Sequence, residues 1–134
     1  MQLSARRWGK RSGSSIGTKF RSNTTITKFN EFRFFTGVTK TTYNTKELVN
    51  CTYLTELTLP VNLATIEGES IQGMSRLTTL TCLRMNAPSL GGQNNMGNLA
   101  SNKKLRIPYG ATGYDTGNWK TKFVDKGFVI TYID

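Results

Sequence analysis

The chain has 134 residues, enough for one domain with a modest core, and a net charge of +10 on a charged fraction of only 19%. The excess comes from scarce acids and favours anionic partners. With no histidine and only two cysteines, imidazole acid–base catalysis, a disulfide scaffold and a cysteine zinc site are all excluded.

Residues 1–25, "MQLSARRWGKRSGSSIGTKFRSNTT", are rich in Gly, Ser, Thr and Arg and show no helical or strand periodicity. The first 30 residues hold seven cations and no acid, whereas the remaining 104 have a surplus of only three positive charges. This stretch is expected to be a basic arm outside the domain. Arg6, Arg7, Trp8, Lys10, Arg11, Lys19, Phe20 and Arg21 are its candidate partner-binding residues, since Arg and aromatic side chains anchor interfaces. The arm has the positive flank of an export signal without the apolar segment that should follow, so the chain is expected not to export itself. Within it, "GKRSGSSIGTK" has some likeness to a phosphate-binding loop. The final pair is reversed, however, and no strand precedes it.

From Ile26 to Asp134 a single domain is expected. "ITKFNEFRFFTGVTKTTY" alternates apolar and polar residues as a strand does. Beyond it, Leu48, Cys51, Leu54, Leu57 and Leu59 recur 23 residues later as Ile71, Met74, Leu77, Leu80 and Cys82. The same spacing backwards sets Phe34 under Leu57. With two extra residues forwards, Leu105, Ile107 and Pro108 repeat Leu57, Leu59 and Pro60. A fixed period with x-L-x-L strands predicts stacked units that share one core, here a solenoid of about four rungs. The expected repeat core is Phe34, Leu54, Leu57, Leu59, Leu63, Ile66, Ile71, Leu77, Leu80, Leu105 and Ile107. "DKGFVITYID" reads as a capping strand after a turn at residues 125–127. Cys51 and Cys82 are expected as buried free thiols.

The repeat "LTELTLPVNLATIEGESIQGMSR" resembles the BspA-like type of leucine-rich repeat, with Leu54, Leu57, Leu59, Pro60, Leu63, Ile66, Ile71 and Met74 at matching places. The closing "LRIPYGATGYDTGNWKTKF" resembles that family's terminal unit through Pro108, Gly110, Tyr114 and Trp119, so Pro108, Tyr114 and Trp119 are the expected cap. Ser70-Ile71 stands where the family usually has Ala-Phe. The resemblance spans roughly residues 26–125. It implies a mainly β fold, a short leucine-rich-repeat solenoid with an N-terminal extended arm and a C-terminal capping strand. Members are often secreted bacterial surface proteins with long arrays, and minimal units occur among phage virion genes.

No catalytic, cofactor-binding or metal site is expected. Glu67 and Glu69 are spaced like a carboxylate pair but lie in the polar "EGES" turn, without the apolar setting that acid–base work needs. Tyr109, Tyr114 and Trp119 could form a sugar-stacking platform, although packing over the last rung is the expected role. Asn23 and Asn50 head glycosylation sequons. No apolar run approaches the ~20 residues of a membrane helix. The expected function is that of a non-enzymatic interaction or structural protein, most concretely a phage virion component made in the bacterial cytoplasm. The alternatives are a ligand-binding module of a bacterial cell-surface adhesin and, more weakly, a nucleic-acid-associated protein. Expected partners are protein subunits with acidic surfaces, with self-association and nucleic acid on the arm left open.

Overall fold

The computed structural model describes residues 15–96 and 102–133. Among these residues, eight strands and little helix make a mainly β fold: β1 Lys28–Phe29, β2 Lys40–Thr41, β3 Glu56–Leu59, β4 Thr65–Ile66, β5 Thr79–Cys82, β6 Ser89–Leu90, β7 Lys103–Pro108 and β8 Phe128–Ile133. A five-stranded sheet runs β1-β3-β5-β7-β8 and a three-stranded sheet runs β2-β4-β6. Every pairing between these strands is parallel. Parallel neighbours need long connections, and here each connection of the larger sheet as far as β7 passes through or beside the smaller one before returning.

Register explains the repeated leucines. Leu57 stands opposite Leu80, Leu80 opposite Leu105, and Leu105 opposite Ile130. Leu59 faces Cys82, and Ile66 faces Leu90 in the smaller sheet. Like side chains thus lie one over another, and Leu54, Leu57, Leu63, Ile66, Ile71, Leu77, Leu80 and Leu105 have no measurable exposure. None of these short strands has enough apolar area of its own, so each depends on its neighbours for burial. Truncating a central member such as Leu80 to Ala should cost about 2–5 kcal/mol.

The first layer departs from the expected spacing. Phe29, not Phe34, stands opposite Leu57. A 3-10 helix, Asn30–Phe34, replaces the continuing strand, because Phe32 and Phe35 both turn inward. Phe29, Phe32 and Phe35 pack ring on ring. Phe34 is left on the surface, 43% exposed, and is not a core residue.

The domain also begins earlier than Ile26. Ile16 and Phe20 belong to the same core as the leucines. The Phe20 ring stacks 4.4 Å from Phe29, and the Cys51 thiol donates to the Phe20 carbonyl. Phe20 is therefore unavailable as an arm anchor.

At the other end, a short helix α1, Gly117–Lys122, is laid against the last strand of the smaller sheet. Asn118 donates through Nδ2 to the Leu90 carbonyl, and the Trp119 indole N–H donates to the Pro88 carbonyl at 2.7 Å. Tyr114 donates to the Arg84 carbonyl. Trp119, Phe123 and Phe128 continue the core beneath them. After a 3-10 turn, Val124–Lys126, Gly127 takes a left-handed conformation (φ 102°) and releases the chain into β8. Another glycine is required by crowding: a Cβ on Gly91 would lie 2.4 Å from the Gly68 nitrogen. Among the described residues no helix is long and apolar enough to cross a membrane.

Candidate interaction surface

Among the described residues, the carboxylates, the thiols and most of the aromatics singled out in the sequence are engaged in packing and hydrogen bonding. Glu67 accepts from the Tyr43 amide, and Glu69 pairs with Lys46 at 3.6 Å. Cys51 and Cys82 are free, buried thiols. Burial pushes the Cys51 thiol up to about 11 and the Cys82 thiol higher, so both stay protonated and unreactive at neutral pH. Tyr114 and Trp119 are buried, which leaves only Tyr109 of the three aromatics free to stack on a sugar. The Gly17–Lys19 segment forms a turn with no helix after it, so no phosphate loop is built there. Asn23 closes its own turn, accepting from the Thr25 and Ile26 amides. Among the described residues no cluster of His, Cys, Asp or Glu is arranged to hold a metal ion.

One buried charge went unnoticed in the sequence. Glu47 accepts from the Thr42 amide at 2.8 Å and from the Ser15 hydroxyl at 3.5 Å. Desolvation is the main influence on it and raises its pKa above the usual 4.5, with the nearby Glu67 charge adding to the effect. The group orders the loop after β2.

What the surface does offer is a ridge. Val61, Met85 and Tyr109 follow the ends of β3, β5 and β7, Phe34 closes the 3-10 helix beyond β1, and Tyr132 lies near the end of β8. Phe34, Val61, Met85, Tyr109 and Tyr132 are between 42% and 81% exposed. Contacts between successive layers make them one feature. Asn62 donates to the Thr36 carbonyl, and Arg84 donates to the Val61 carbonyl. The Met85 methyl reaches Gly110, where a Cβ would be 3.7 Å away. The Tyr109 and Tyr132 rings meet edge to face at 5.3 Å. Arg33 lies over the Phe34 ring at 4.7 Å. Aromatics, methionine and arginine are the side chains enriched at protein interfaces, and no carboxylate stands among these residues.

The outward face of the larger sheet is different in character. Thr58 donates to Asn30, Asn30 donates to Glu56, and Arg106 reaches Thr81 at 3.5 Å. These polar side chains satisfy one another and present a flat surface. At its far end lies a shallow groove of about 230 Å³ lined by Asn102, Lys103, Lys104, Val129 and Thr131. Lys103 is held there, its ammonium donating to the Lys126 carbonyl, and burial lowers its pKa.

Of the expected arm residues, Arg21 is exposed and Lys19 lies on the turn beside it. Arg6, Arg7, Trp8, Lys10 and Arg11 lie outside the described residues. Pro108 ends β7, opposite Ile133. The ridge was not foreseen, although one clue was present: Val61 and Tyr109 each directly follow the proline that ends a repeated strand. Comparison with protein-family models, curated proteins and solved structures gives no match for the chain.

Proposed function

We propose that this chain is a non-enzymatic interaction protein, built as a short leucine-rich-repeat solenoid of the BspA-like type and working as a component of a larger assembly. The repeated register of Leu57, Leu80 and Leu105 supports the solenoid reading. The observation that carries the function is the apolar ridge flanked by Arg33 and Arg84, which suits a protein partner with apolar side chains and an acidic rim. The cationic stretch before Ser15 adds long-range attraction for the same kind of partner. A phage virion, assembled in the bacterial cytoplasm, is the setting this combination fits most concretely.

The test is hydroxyl-radical footprinting of the chain, free and within the particles or complexes it enters in its native source. Protection of Met85 and Tyr109 on assembly, with Tyr53 unchanged as a reference, is the expected result. A chain that stays free in its native source, or an assembled chain whose ridge reacts as before, would overturn the reading.

A further inference from the structure

Among the described residues, three of the four sheet edges are closed or very short. β1 is two residues long, its lysine is paired with Glu56 at 3.4 Å, and its Phe29 lies under Phe20. β2 is also two residues long and begins with a lysine. β6 is covered by hydrogen bonds from the α1 region. β8 is the exception: six residues, "FVITYI", fully paired to β7 on one side and with no strand beyond it among the described residues. It contains no charge, no proline and no glycine. Val129 and Tyr132 are 64% and 53% exposed. Natural edges are normally protected by charge, proline, a bulge or a covering loop, and β8 has none of these among the described residues.

We infer that the β8 edge is a docking site for the β8 edge of a second copy of this chain, paired antiparallel about a two-fold axis perpendicular to the sheet. The strand is complementary to itself in that arrangement. With Thr131 on the axis, Val129 lies opposite Ile133 on the outward face, and Ile130 lies opposite Tyr132 on the other face. Apolar groups thus meet apolar groups, and hydroxyl meets hydroxyl.

Charge also permits the pairing despite the net +10. The cations nearest the edge on the outward face are Lys104 and Arg106, which stand opposite Val129 and Thr131 one strand back. Across the axis the two Arg106 rows are three strand spacings apart, about 14 Å, which exceeds a Debye length of ~8 Å at physiological salt. The covered β1 edge leaves no place for head-to-tail addition, so the assembly closes as a dimer and does not grow into a fibre.

Sedimentation velocity on the full chain across a concentration series tests this, with three variants beside it. The wild type should show a reversible monomer–dimer equilibrium. Val129→Lys sets a cation against the partner's Ile133 and should weaken the dimer at least about tenfold. Val61→Lys, on the ridge, should leave the dimer unchanged, which separates this contact from the partner surface proposed above. Thr131→Cys should form a disulfide-linked dimer under mild oxidation, while Cys51 and Cys82 remain buried and inert. A chain that stays monomeric at its highest soluble concentration, or a dimer that survives Val129→Lys and dissolves with Val61→Lys, overturns the inference.

Discussion

At one end of the larger sheet β1 offers two residues of edge, and at the other β8 offers six. The first is short because three phenylalanines turn the chain into a 3-10 helix, and it is then covered by residues 15–25, through Phe20. The second runs its full length beside β7 and ends uncovered among the described residues. Both ends belong to the same stack and need to hide the same kind of core. The N-terminal end does so with aromatic rings and leaves little backbone on offer. The C-terminal end covers the smaller sheet with Trp119 and Asn118 but, among the described residues, leaves β8 of the larger sheet without cover. Closing a core and closing a sheet edge are therefore separate tasks, and the described residues perform the second at only one end.

The strongest way to break the comparison is to strip the N-terminal cover. Phe29→Ala removes a ring packed against Phe20, Phe32 and Phe35, and should cost ~3–5 kcal/mol in denaturant unfolding. Phe20→Ala is the sharper version, since a mere arm residue would cost nothing. A loss above ~2 kcal/mol places residues 15–25 in the cooperative unit. At the other end, Trp119→Phe leaves the Pro88 carbonyl without its donor and should cost ~1–3 kcal/mol. Its effect should be concentrated in faster amide exchange around β6, with β1 unaffected.

Smaller effects follow from Glu47. Because burial raises its pKa in the folded state, the native protein binds a proton more tightly than the unfolded chain does. Stability should therefore fall as pH rises from about the unfolded value of 4.5 through the folded pKa, and then level off. Glu47→Gln, which keeps an acceptor for the Thr42 amide, should flatten that part of a urea-midpoint profile against pH. The smallest change expected is in the stability of the Val129→Lys monomer. It should stay within ~0.5 kcal/mol of wild type, since the side chain is largely solvated.

The central stack was legible because identical residues recur at one spacing, and the spacing is the register: Leu57 over Leu80 needs no further information. The first layer was not legible. Four phenylalanines among residues 29–35 leave several choices of which to bury, and local pattern cannot show that a 3-10 helix places Phe32 and Phe35 inside and Phe34 outside. Phe20 was obscured by its Gly/Ser/Arg-rich surroundings, where composition suggested an arm and one aromatic ring outweighed it. Most of the ridge lies outside the strands, where no period marks it, and Tyr132 sits near the end of β8. Its members become neighbours only after the layers are stacked.

The most direct measurement is amide hydrogen exchange followed strand by strand at low and high protein concentration. Amides of Leu57–Leu59 and Leu80–Cys82 should be protected at both concentrations. The outward-pointing amides of β8 should exchange quickly in dilute solution and slow markedly when the chain is concentrated. If β8 is as protected as β5 in dilute solution, the C-terminal edge is already closed, and the contrast between the two ends does not exist.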